Sequence, residues 1–333
     1  FFSSNLRSYI IYYILFFIFS YIKITQMKPK SDCIACLVER TKYECDMAFN
    51  DDGEKIFALK EFIAFLVEHL GEEGKSPAFF GTERERIIKR RSGAKDPHGE
   101  VKKRSNEVAK GLLPEVYKFY DAVAAKNGNK IEALIRIAAA ANSMEYGVKG
   151  YSYDDDVFRG DFVHTLNEKL NWDMDSIISA IKERDEILYL TDNAGEIFFD
   201  AFVIRELIEM GKEVVVSPKN APVINDATTE DLKEAIANVG PNFGLGDRVK
   251  VIPSGSCIGV SLEGAEEEFL DVFSDDRYLV IAKGMGNYEA ISEFEAKPEL
   301  GLRDRLIYIL RAKCEPIASS IGVKRGELVA KLV

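Results

Sequence analysis

Residues 186–210 read EILYLTDNAGEIFFDAFVIRELIEM. A strand-length apolar run ends at Thr191, a small polar loop follows, and an apolar helical pattern extends from Ile197 to Met210. A strand followed by a helix is the repeating half of a βαβ unit. Similar strand-length runs recur downstream at 213–217, 248–252 and 278–282, with a weaker one at 306–310. Because helical patterns separate these runs, the sequence predicts an α/β fold with a parallel sheet covered on both faces.

The part of the chain before this alternation has the spacing of helices. Between residues 33 and 171, apolar residues recur at intervals of three and four, as in Ile56, Leu59, Phe62, Ile63, Leu66 and Leu70. Two long amphipathic stretches, 108–125 and 130–143, are separated by Asn127-Gly128-Asn129. This spacing predicts an all-helical domain that ends near residue 180, ahead of the α/β domain.

A highly charged stretch runs from Arg84 to Arg104 and contains Gly93, Pro97 and Gly99. It predicts an exposed helix end and loop whose basic residues form a solvated face. A lid over an anionic substrate is the alternative interpretation.

The first 26 residues differ in composition from the rest of the chain. They begin with Phe rather than Met, and the apolar run from Tyr9 to Ile22 is shorter than the roughly 20 residues that cross a bilayer. We expect a mistranslated leader, with the protein starting at Met27; a signal-like segment and a membrane anchor are the alternatives. The predicted segments are therefore 1–26, 27–180 and 181–333, and no membrane association is expected of the mature chain.

Composition limits the class of partner. The chain has a formal net charge of −11 and no sustained basic stripe, so nucleic acid is not expected as a partner. An acidic protein attracts a phosphorylated substrate only where local cations or a bound metal supply positive charge. Five cysteines are an odd number spread over a long chain, which predicts a reducing compartment and hence a cytoplasmic location.

Polar and small residues follow each of the main predicted strands. In an open parallel sheet, ligands bind at the carboxyl ends of the strands, so a site is expected in these loops. The four loops are Thr191-Asp192-Asn193-Ala194-Gly195-Glu196, Ser217-Pro218-Lys219-Asn220, Pro253-Ser254-Gly255-Ser256 and Lys283-Gly284-Met285-Gly286-Asn287. Their convergence on one edge of the sheet predicts a single site.

Three oxygen-bearing side chains in these loops suit a metal ion. Asp192 and Asn193 follow the first strand, and Asp226 lies in the connection after the second. Hard divalent cations prefer such ligands, with waters and substrate phosphate completing the shell. The residues predict a site for an ion such as Mg²⁺ or Mn²⁺. The alternative is that they cap the helices that follow, since Asp and Asn are favoured helix caps.

Lys219 and Lys283 each follow an apolar strand, where an ammonium group can meet phosphate oxygens. Gly255 and Gly284 allow backbone N–H groups to approach an anion closely. Ordinary turn chemistry is the alternative for these glycines. No Walker loop occurs, and no G-x-G-x-x-G follows the first strand, which removes the best support for ATP hydrolysis or dinucleotide binding.

Cys33 and Cys36 form a C-x-x-C motif, with Cys45 nearby. A structural zinc site needs four ligands, and this region supplies three cysteines with only the distant His69. A redox pair and small buried side chains are the two other interpretations. The three histidines of the chain are too scattered for a histidine metal centre or a catalytic triad.

Taken together, the loops resemble the damage-control phosphatase family, in particular its archaeal and bacterial branch, which also carries an N-terminal C-x-x-C. The resemblance extends from Met27 to the C-terminus and is carried by DNAGE at 192–196, KNAPVINDAT at 219–228 and KGMGNYE at 283–289. It implies a helical domain packed on a Rossmann-like three-layer α/β/α domain with a mostly parallel sheet. It also implies a divalent metal ion, Mn, Co, Ni or Mg, bound by three residues that match Asp192, Asn193 and Asp226. The implied activity is hydrolysis of phosphate monoesters of small phosphorylated metabolites, such as sugar phosphates and damaged side products.

The same resemblance implies roles for further residues. Lys283 becomes a catalytic phosphate contact beside the three metal ligands. Asn142 and Glu145 match a family G-N-x-x-D motif, although Ala141 replaces its Gly and Glu145 replaces its Asp. The other residues that we predict to bind substrate are Glu196, Lys219, Ser254, Gly255, Gly284 and Asn287.

Two other functions fit parts of the pattern. The family name has also been attached to an S-adenosylmethionine-dependent carboxyl methyltransferase, although this sequence has no glycine-rich cofactor loop. A non-catalytic metabolite-binding or redox protein centred on Cys33 and Cys36 is the second alternative. The physiological substrate, the native metal and the existence of a homo-oligomer stay open at the level of sequence.

Overall fold

The computed structural model describes residues 27–143, 155–239 and 248–333, with the side chains of residues 127 and 155–158 left aside. The expected leader, residues 1–26, lies outside the described residues. Within the described part of the chain, no helix combines the length and the apolar character needed to cross a membrane.

Six helices precede the first strand in the described part of the chain. They are α1 Ser31–Ala48, α2 Asp52–His69, α3 Pro77–Ser92, α4 Gly99–Asn127, α5 Lys130–Ala141 and α6 Asp155–Leu166. The predicted break after α4 is confirmed. Gly128 ends α4 with a φ of 67°, and the side chain of Asn129 accepts a hydrogen bond from the N–H of Glu132 at the start of α5. Local turn and cap chemistry therefore separates these two helices.

The charged segment 84–104 contains the predicted helix end and loop, but its basic residues are not a uniformly solvated face. Arg84 and Lys102 are each 5% exposed. Arg84 Nε donates to Glu44 Oε2 at 2.9 Å, and Lys102 Nζ lies 3.2 Å from Asp231 Oδ2. The expectation of a solvated face is wrong for these residues, because carboxylates distant in sequence offset the cost of burying their charge.

One seven-stranded sheet lies at the centre of the described residues. Its strands are β1 Leu170–Trp172, β2 Glu186–Leu190, β3 Glu213–Ser217, β4 Val249–Val251, β5 Tyr278–Lys283, β6 Leu306–Arg311 and β7 Leu328–Leu332. The order across the sheet is β1-β7-β6-β5-β2-β3-β4, and each neighbouring pair is parallel except β6 with β7. The predicted α/β fold with a mostly parallel sheet is confirmed.

Successive residues of a strand face opposite sides of this sheet. Ile187 and Tyr189 of β2 belong to the core shared with α4 and α5, whereas Leu188 and Leu190 belong to a second core on the other face. Burial on both faces is what a parallel sheet with crossover helices requires. Among the described residues, the helices of this half are α7 Met174–Glu183, α8 Glu196–Glu209, α9 Thr229–Val239, α10 Glu267–Ser274, α11 Gly284–Ile291 and α12 Glu315–Ile321, with a 3₁₀ turn at Pro298–Leu300.

β2 and β5 are neighbours at the middle of the sheet. From β2 the chain moves outward to β3 and β4, then returns to β5 and continues to β6 on the opposite side. The direction of winding therefore reverses between β2 and β5. A crevice forms outside the carboxyl ends of the strands at such a switch point, and ligands bind there. The loops that begin at Thr191 and Lys283 border this crevice.

Two strands were not expected from the sequence. β1 has three residues and begins at Leu170, ahead of the predicted domain boundary near residue 180. β7 pairs antiparallel with β6, with Ile309 opposite Ala330, and its first three residues are all buried, so no alternating signal marks it. The domain boundaries stay a prediction, and α4 and α5 pack in the same core as β2.

Candidate functional site

The loop after β2 and the connection after β3 are joined through their backbones. The N–H of Ala227 donates to the carbonyl of Asp192 at 2.7 Å. Asn193 and Asp226 pair as an isolated antiparallel bridge within this contact. The three predicted metal ligands therefore lie on adjacent backbone at the carboxyl edge of the sheet.

Two side-chain amides hold the carboxylate of Asp192. Asn142 Nδ2 donates to Asp192 Oδ2 at 2.8 Å, and Asn193 Nδ2 donates to the same oxygen at 2.7 Å. Asn142 ends α5 and is 1% exposed, and its Oδ1 accepts the backbone N–H of Arg311 at 3.0 Å. The amide is therefore fixed between a helix and a strand, which orients the carboxylate in advance of any ligand.

Gly284 begins α11 directly beside the carboxylate of Asp192. Its φ is 79°, and a Cβ at this position would lie 2.0 Å from Asp192 Oδ2. Glycine meets both requirements, since it adopts a left-handed φ readily and has no side chain. The N-cap residue Lys283 makes no side-chain cap hydrogen bond to the first N–H groups of α11, and N–H groups at the start of a helix are donors suited to an anion.

Lys283, at the end of β5, is fully buried between two carboxylates. Its Nζ contacts Glu196 Oε1 and lies 2.7 Å from Asp200 Oδ1. The hydroxyl of Tyr189 donates to the same Asp200 oxygen at 2.6 Å. Burial by itself lowers the pKa of Lys283, but the two carboxylates outweigh it and raise the pKa above its ordinary value. Lys283 therefore stays charged below the site, and its role as a phosphate contact stays a prediction.

Glu196 opens α8 and links this buried ion pair to the loop of Asp192. It is 1% exposed, and its Oε2 accepts hydrogen bonds from Asn142 Nδ2 at 3.1 Å and from Asn193 Nδ2 at 3.4 Å. Asn142 thus bridges the carboxylates of Glu196 and Asp192. The predicted contact of Glu196 with substrate stays a prediction.

Carboxylates repel one another at this edge of the sheet. Burial, together with the carboxylates of Glu196 and Asp226, raises the pKa of Asp192 well above its ordinary value. Burial also raises the pKa of Asp226 to about 7, against the opposing effect of Lys219. A bound cation offsets such repulsion and favours the ionised carboxylates.

Lys219 follows β3, is 2% exposed and joins two loops. Its Nζ donates to Gly259 O at 2.7 Å and to Ser254 Oγ at 3.2 Å, and lies 4.0 Å from Asp226 Oδ2. Gly255 O accepts the backbone N–H of the residue after Lys219 at 3.3 Å. These predicted residues tie the loop after β4 to the loop that carries Asp226.

A strained turn precedes Asp226. The N–H of Asp226 donates to Val223 O at 2.9 Å and closes a four-residue turn, in which Ile224 has a φ of 39°. A left-handed φ at a β-branched residue costs about 1–3 kcal/mol. Contacts from the surrounding structure must stabilise this turn.

Asn287, on the first turns of α11, holds the ends of the two central strands together. It is 2% exposed, and its Nδ2 donates to Thr191 O at 3.1 Å and to Lys283 O at 2.8 Å. The remaining predicted contact, Glu145, lies outside the described residues.

Three residues near the site are absent from the prediction. Asp200 shares the buried ammonium, the charge of Lys313 opposes the rise in the pKa of Asp192, and Asn106 Oδ1 accepts the N–H of Gly195 at 2.6 Å. Lys313 could have been found, because it follows a predicted strand at the same edge. Asp200 is an acid within an apolar helical pattern, which signals a buried partner. No local signal marks Asn106.

The donor set suits a hard divalent cation. Asp192, Asn193 and Asp226 offer two carboxylates and one amide oxygen, and such ions fill their other positions with waters and substrate oxygens. Among the described residues, no three His, Cys, Asp or Glu side chains are grouped to hold a metal by themselves. A cation here would therefore depend on Asn193 and on ligands from outside the chain.

The C-x-x-C motif lies in the first turns of α1, and Cys33 belongs to the core that also contains Tyr288 of α11. Cys33 is buried, Cys36 is exposed, and all five cysteines are free thiols. Burial raises the pKa of Cys33, which lowers its thiolate fraction at neutral pH and weakens it as a nucleophile. The redox interpretation of this motif stays a prediction.

Comparisons with known proteins agree on one family. Residues 30–329 match the model described as the damage-control phosphatase ARMT1-like domain. The chain is 30% identical over 307 residues to a damage-control phosphatase of Archaeoglobus fulgidus, covering 92% of this chain and 100% of that protein. It is 32% identical over 310 residues to an uncharacterized protein of Methanocaldococcus jannaschii, covering 91% and 95% of the two chains.

A solved structure shares the fold. The crystal structure of a DUF89 family protein from Pyrococcus horikoshii superposes on this chain with a TM-score of 0.75 at 29% sequence identity. The match covers 91% of this chain and 98% of the other. The similarity therefore includes both the N-terminal helices and the sheet.

Proposed function

Since the chain belongs to the damage-control phosphatase ARMT1-like family, we propose that it hydrolyses phosphate monoesters of small metabolites with a divalent cation held by Asp192, Asn193 and Asp226. Sugar phosphates and damaged or side-product phosphometabolites are the proposed substrates. What supports the proposal most is the bridge between Asn193 and Asp226, because it joins the loops of all three ligands at the switch point of the sheet.

The chemistry divides between the ion and the chain. When bound, Mn²⁺, Co²⁺, Ni²⁺ or Mg²⁺ supplies positive charge that stabilises the phosphoryl oxygens and lowers the pKa of an attacking water. Asn142 orients Asp192, and the absence of a side chain at Gly284 gives the space that the Asp192 carboxylate occupies. The first N–H groups of α11 receive phosphoryl oxygens. Water is the proposed nucleophile, because the D-x-D spacing of aspartyl-phosphate enzymes is absent after β2.

Lys283 supports this arrangement from the buried side. Its ammonium neutralises Glu196 and Asp200, so that Asp192 and Asp226 are the carboxylates left to bind the cation. Removing the ammonium would leave four carboxylates close together in a buried region. The proposed role of Lys283 is therefore electrostatic, through the groups that surround the reacting phosphate.

The test begins with protein from which metals have been removed by a chelator. Release of p-nitrophenol from p-nitrophenyl phosphate is measured with Mn²⁺, Co²⁺, Ni²⁺ and Mg²⁺ in turn, and phosphate release is then measured over a panel of sugar phosphates. We expect Asp192→Ala and Asp226→Asn to lose at least about a hundredfold in rate while circular dichroism is unchanged. Asp185→Asn, at an exposed acid, is the matched control.

Each outcome bears on the proposal. Turnover by the unmodified protein without metal, or unchanged turnover in Asp192→Ala, would contradict the metal-dependent mechanism. Binding of S-adenosylmethionine together with no phosphate release would favour methyl transfer instead. Ligand binding that needs reduced Cys33 and Cys36, with no hydrolysis, would favour a redox or binding protein.

A further inference from the structure

Helix α3 reaches from the helical part of the chain to the loop that carries Asp226. Glu85 and Lys89 lie one turn apart on α3 and form an ion pair at 2.9 Å. The ammonium of Lys89 donates to Pro222 O, and the backbone N–H of Ile224 lies close enough to the Glu85 carboxylate to oppose the rise that burial causes in the pKa of Glu85. Side chains of one helix turn therefore face the backbone on both sides of Val223.

The contacted segment is the strained turn before Asp226. Ile224 has the left-handed φ of 39°, which a β-branched side chain disfavours. Without outside contacts the turn would relax toward φ below zero, and the backbone of Asp226 would rotate with it. The hydrogen bond from the Lys89 ammonium to Pro222 O opposes this relaxation, and hydrogen bonds from charged groups are the stronger ones. The Glu85 carboxylate holds that ammonium in place through their ion pair at 2.9 Å.

The helix itself is well anchored. The Arg84 guanidinium is buried against the Glu44 carboxylate of α1, and Thr82 Oγ1 accepts the backbone N–H of Ile258 at 2.9 Å. Glu85 is 3% exposed, so its carboxylate is held in one place by packing. Helix α3 can therefore hold a neighbouring loop in one conformation, because packing restricts the rotamers of its own side chains.

We propose that Glu85 and Lys89, the α3 clamp, are positioning residues that hold the turn at Ile224 and thereby aim Asp226 at the loop of Asp192. The consequence for metal binding rests on the proposed function. The restraint on the turn does not, since it follows from the contact of the Lys89 side chain with the backbone of the turn. The helical part of the chain thus sets the geometry of a site whose ligands all come from the sheet loops.

Hydrogen–deuterium exchange over residues 219–229 tests the restraint without metal or substrate. In Lys89→Ala and Glu85→Ala we expect the N–H groups of Asp226 and Ala227 to exchange at least about tenfold faster than in the unmodified protein. Lys118→Ala removes an exposed ion pair on α4 and is the matched control. Equal exchange in the unmodified protein and both clamp variants would overturn the proposal.

Manganese affinity, measured by electron paramagnetic resonance of free Mn²⁺, tests the consequence. We expect Lys89→Ala to raise the Kd for Mn²⁺ about tenfold. Lys89→Arg keeps a cation at this position, and its Kd should stay within about threefold of that of the unmodified protein. Adding Ile224→Gly to Lys89→Ala removes the strain that the clamp opposes and should restore the affinity. Failure of this second substitution to restore it would contradict a positioning role.

The two proposals fail in different ways. If the unmodified protein binds no Mn²⁺, the proposed function is wrong, and hydrogen exchange still decides whether the clamp restrains the turn. If the unmodified protein binds Mn²⁺ and the clamp variants bind it equally well, the positioning role is wrong and the proposed function stands.

Discussion

The carboxylate of Asp192 occupies the space that any side chain at Gly284 would need, with Oδ2 2.0 Å and Cγ 2.1 Å from the position of a Cβ. Gly284→Ala should therefore displace Asp192, because the backbone at the start of α11 is tied to β5. We expect kcat/KM for p-nitrophenyl phosphate with Mn²⁺ to fall at least about a hundredfold, because misorienting a metal ligand typically costs an enzyme this much activity.

The control separates this displacement from backbone strain. Gly74 has a φ of 74°, close to that of Gly284, and open space around its missing Cβ. Gly74→Ala bears the cost of the left-handed φ alone, about 1 kcal/mol. Similar kcat/KM values for Gly284→Ala and Gly74→Ala would show that displacing Asp192 does not reduce the activity.

Metal binding should stabilise the folded protein. Asp192 is half-buried, Asp226 is buried, and both have raised pKa values, so a cation between them relieves repulsion that exists only in the folded state. Mn²⁺ at 100 times its Kd should raise the free energy of unfolding by about 2.7 kcal/mol, and a chelator should reverse this. Urea denaturation with and without Mn²⁺ measures the effect.

Asp226→Asn, which lacks one of the two carboxylates, should respond differently to the metal. Without metal it should be at least as stable as the unmodified protein, because one of the repelling charges is gone. Adding Mn²⁺ should raise the free energy of unfolding of this variant only slightly. An equal gain in both proteins would place the ion elsewhere.

Removing the ammonium of Lys283 should destabilise the fold. Lys283→Met leaves Glu196 and Asp200 buried without a counter-charge, and we expect a loss of about 3–5 kcal/mol in the free energy of unfolding. Adding Glu196→Gln should recover part of the loss. Lys233→Met, at a lysine that is 59% exposed, should change stability by less than about 0.5 kcal/mol. A loss below 1 kcal/mol for Lys283→Met, roughly the limit for a surface pair, would contradict this account.

Acid should destabilise the protein through His98. Its side chain is buried, its Nδ1 has no hydrogen-bond partner among the described residues, and burial with the charges of Arg84 and Lys89 lowers the pKa of His98 to about 3. Between about pH 6.5 and 3 the unfolded chain binds this proton and the folded chain does not. The contribution to stability is therefore complete above about pH 6.5 and is lost as the pH falls, at up to about 1.4 kcal/mol per pH unit.

The measurement compares variants rather than absolute curves, because carboxylates also titrate in this range. Free energies of unfolding are determined from pH 4 to pH 8, roughly spanning the lowered and ordinary histidine values, for the unmodified protein, His98→Gln and His164→Gln. The His98→Gln curve should be flatter than that of the unmodified protein. His164 is 79% exposed, and its substitution should leave the slope unchanged. Parallel curves for all three proteins would refute the account.

Much of the central architecture follows from local pattern. The apolar runs in residues 186–210 predict β2, the polar loop and α8, and all three are present. β1 and β7 escape the same reasoning, since one is three residues long and the other is buried in a pattern without alternation. Strands of this kind depend on their pairing partners rather than on their own sequence.

Part of the candidate site follows from the same pattern. Parallel strands end at a common edge, so residues after β2, β3 and β5 had to become neighbours. Asp192, Asn193 and Asp226 were expected together on this ground and lie on adjacent backbone. The clamp residue Glu85 was not expected near them, because a charged helix segment is ordinarily solvated.

By itself the sequence determined which faces of the helices and strands are buried and which chemical groups stand at the strand ends. Only the tertiary structure decided the partner of each charge. Lys283 follows a strand as a phosphate contact would, yet its partners are Glu196 and Asp200, 87 and 83 positions away. The physical reason is that periodicity reports burial within one element, whereas the energy of a buried charge depends on the group that the fold brings within hydrogen-bonding distance.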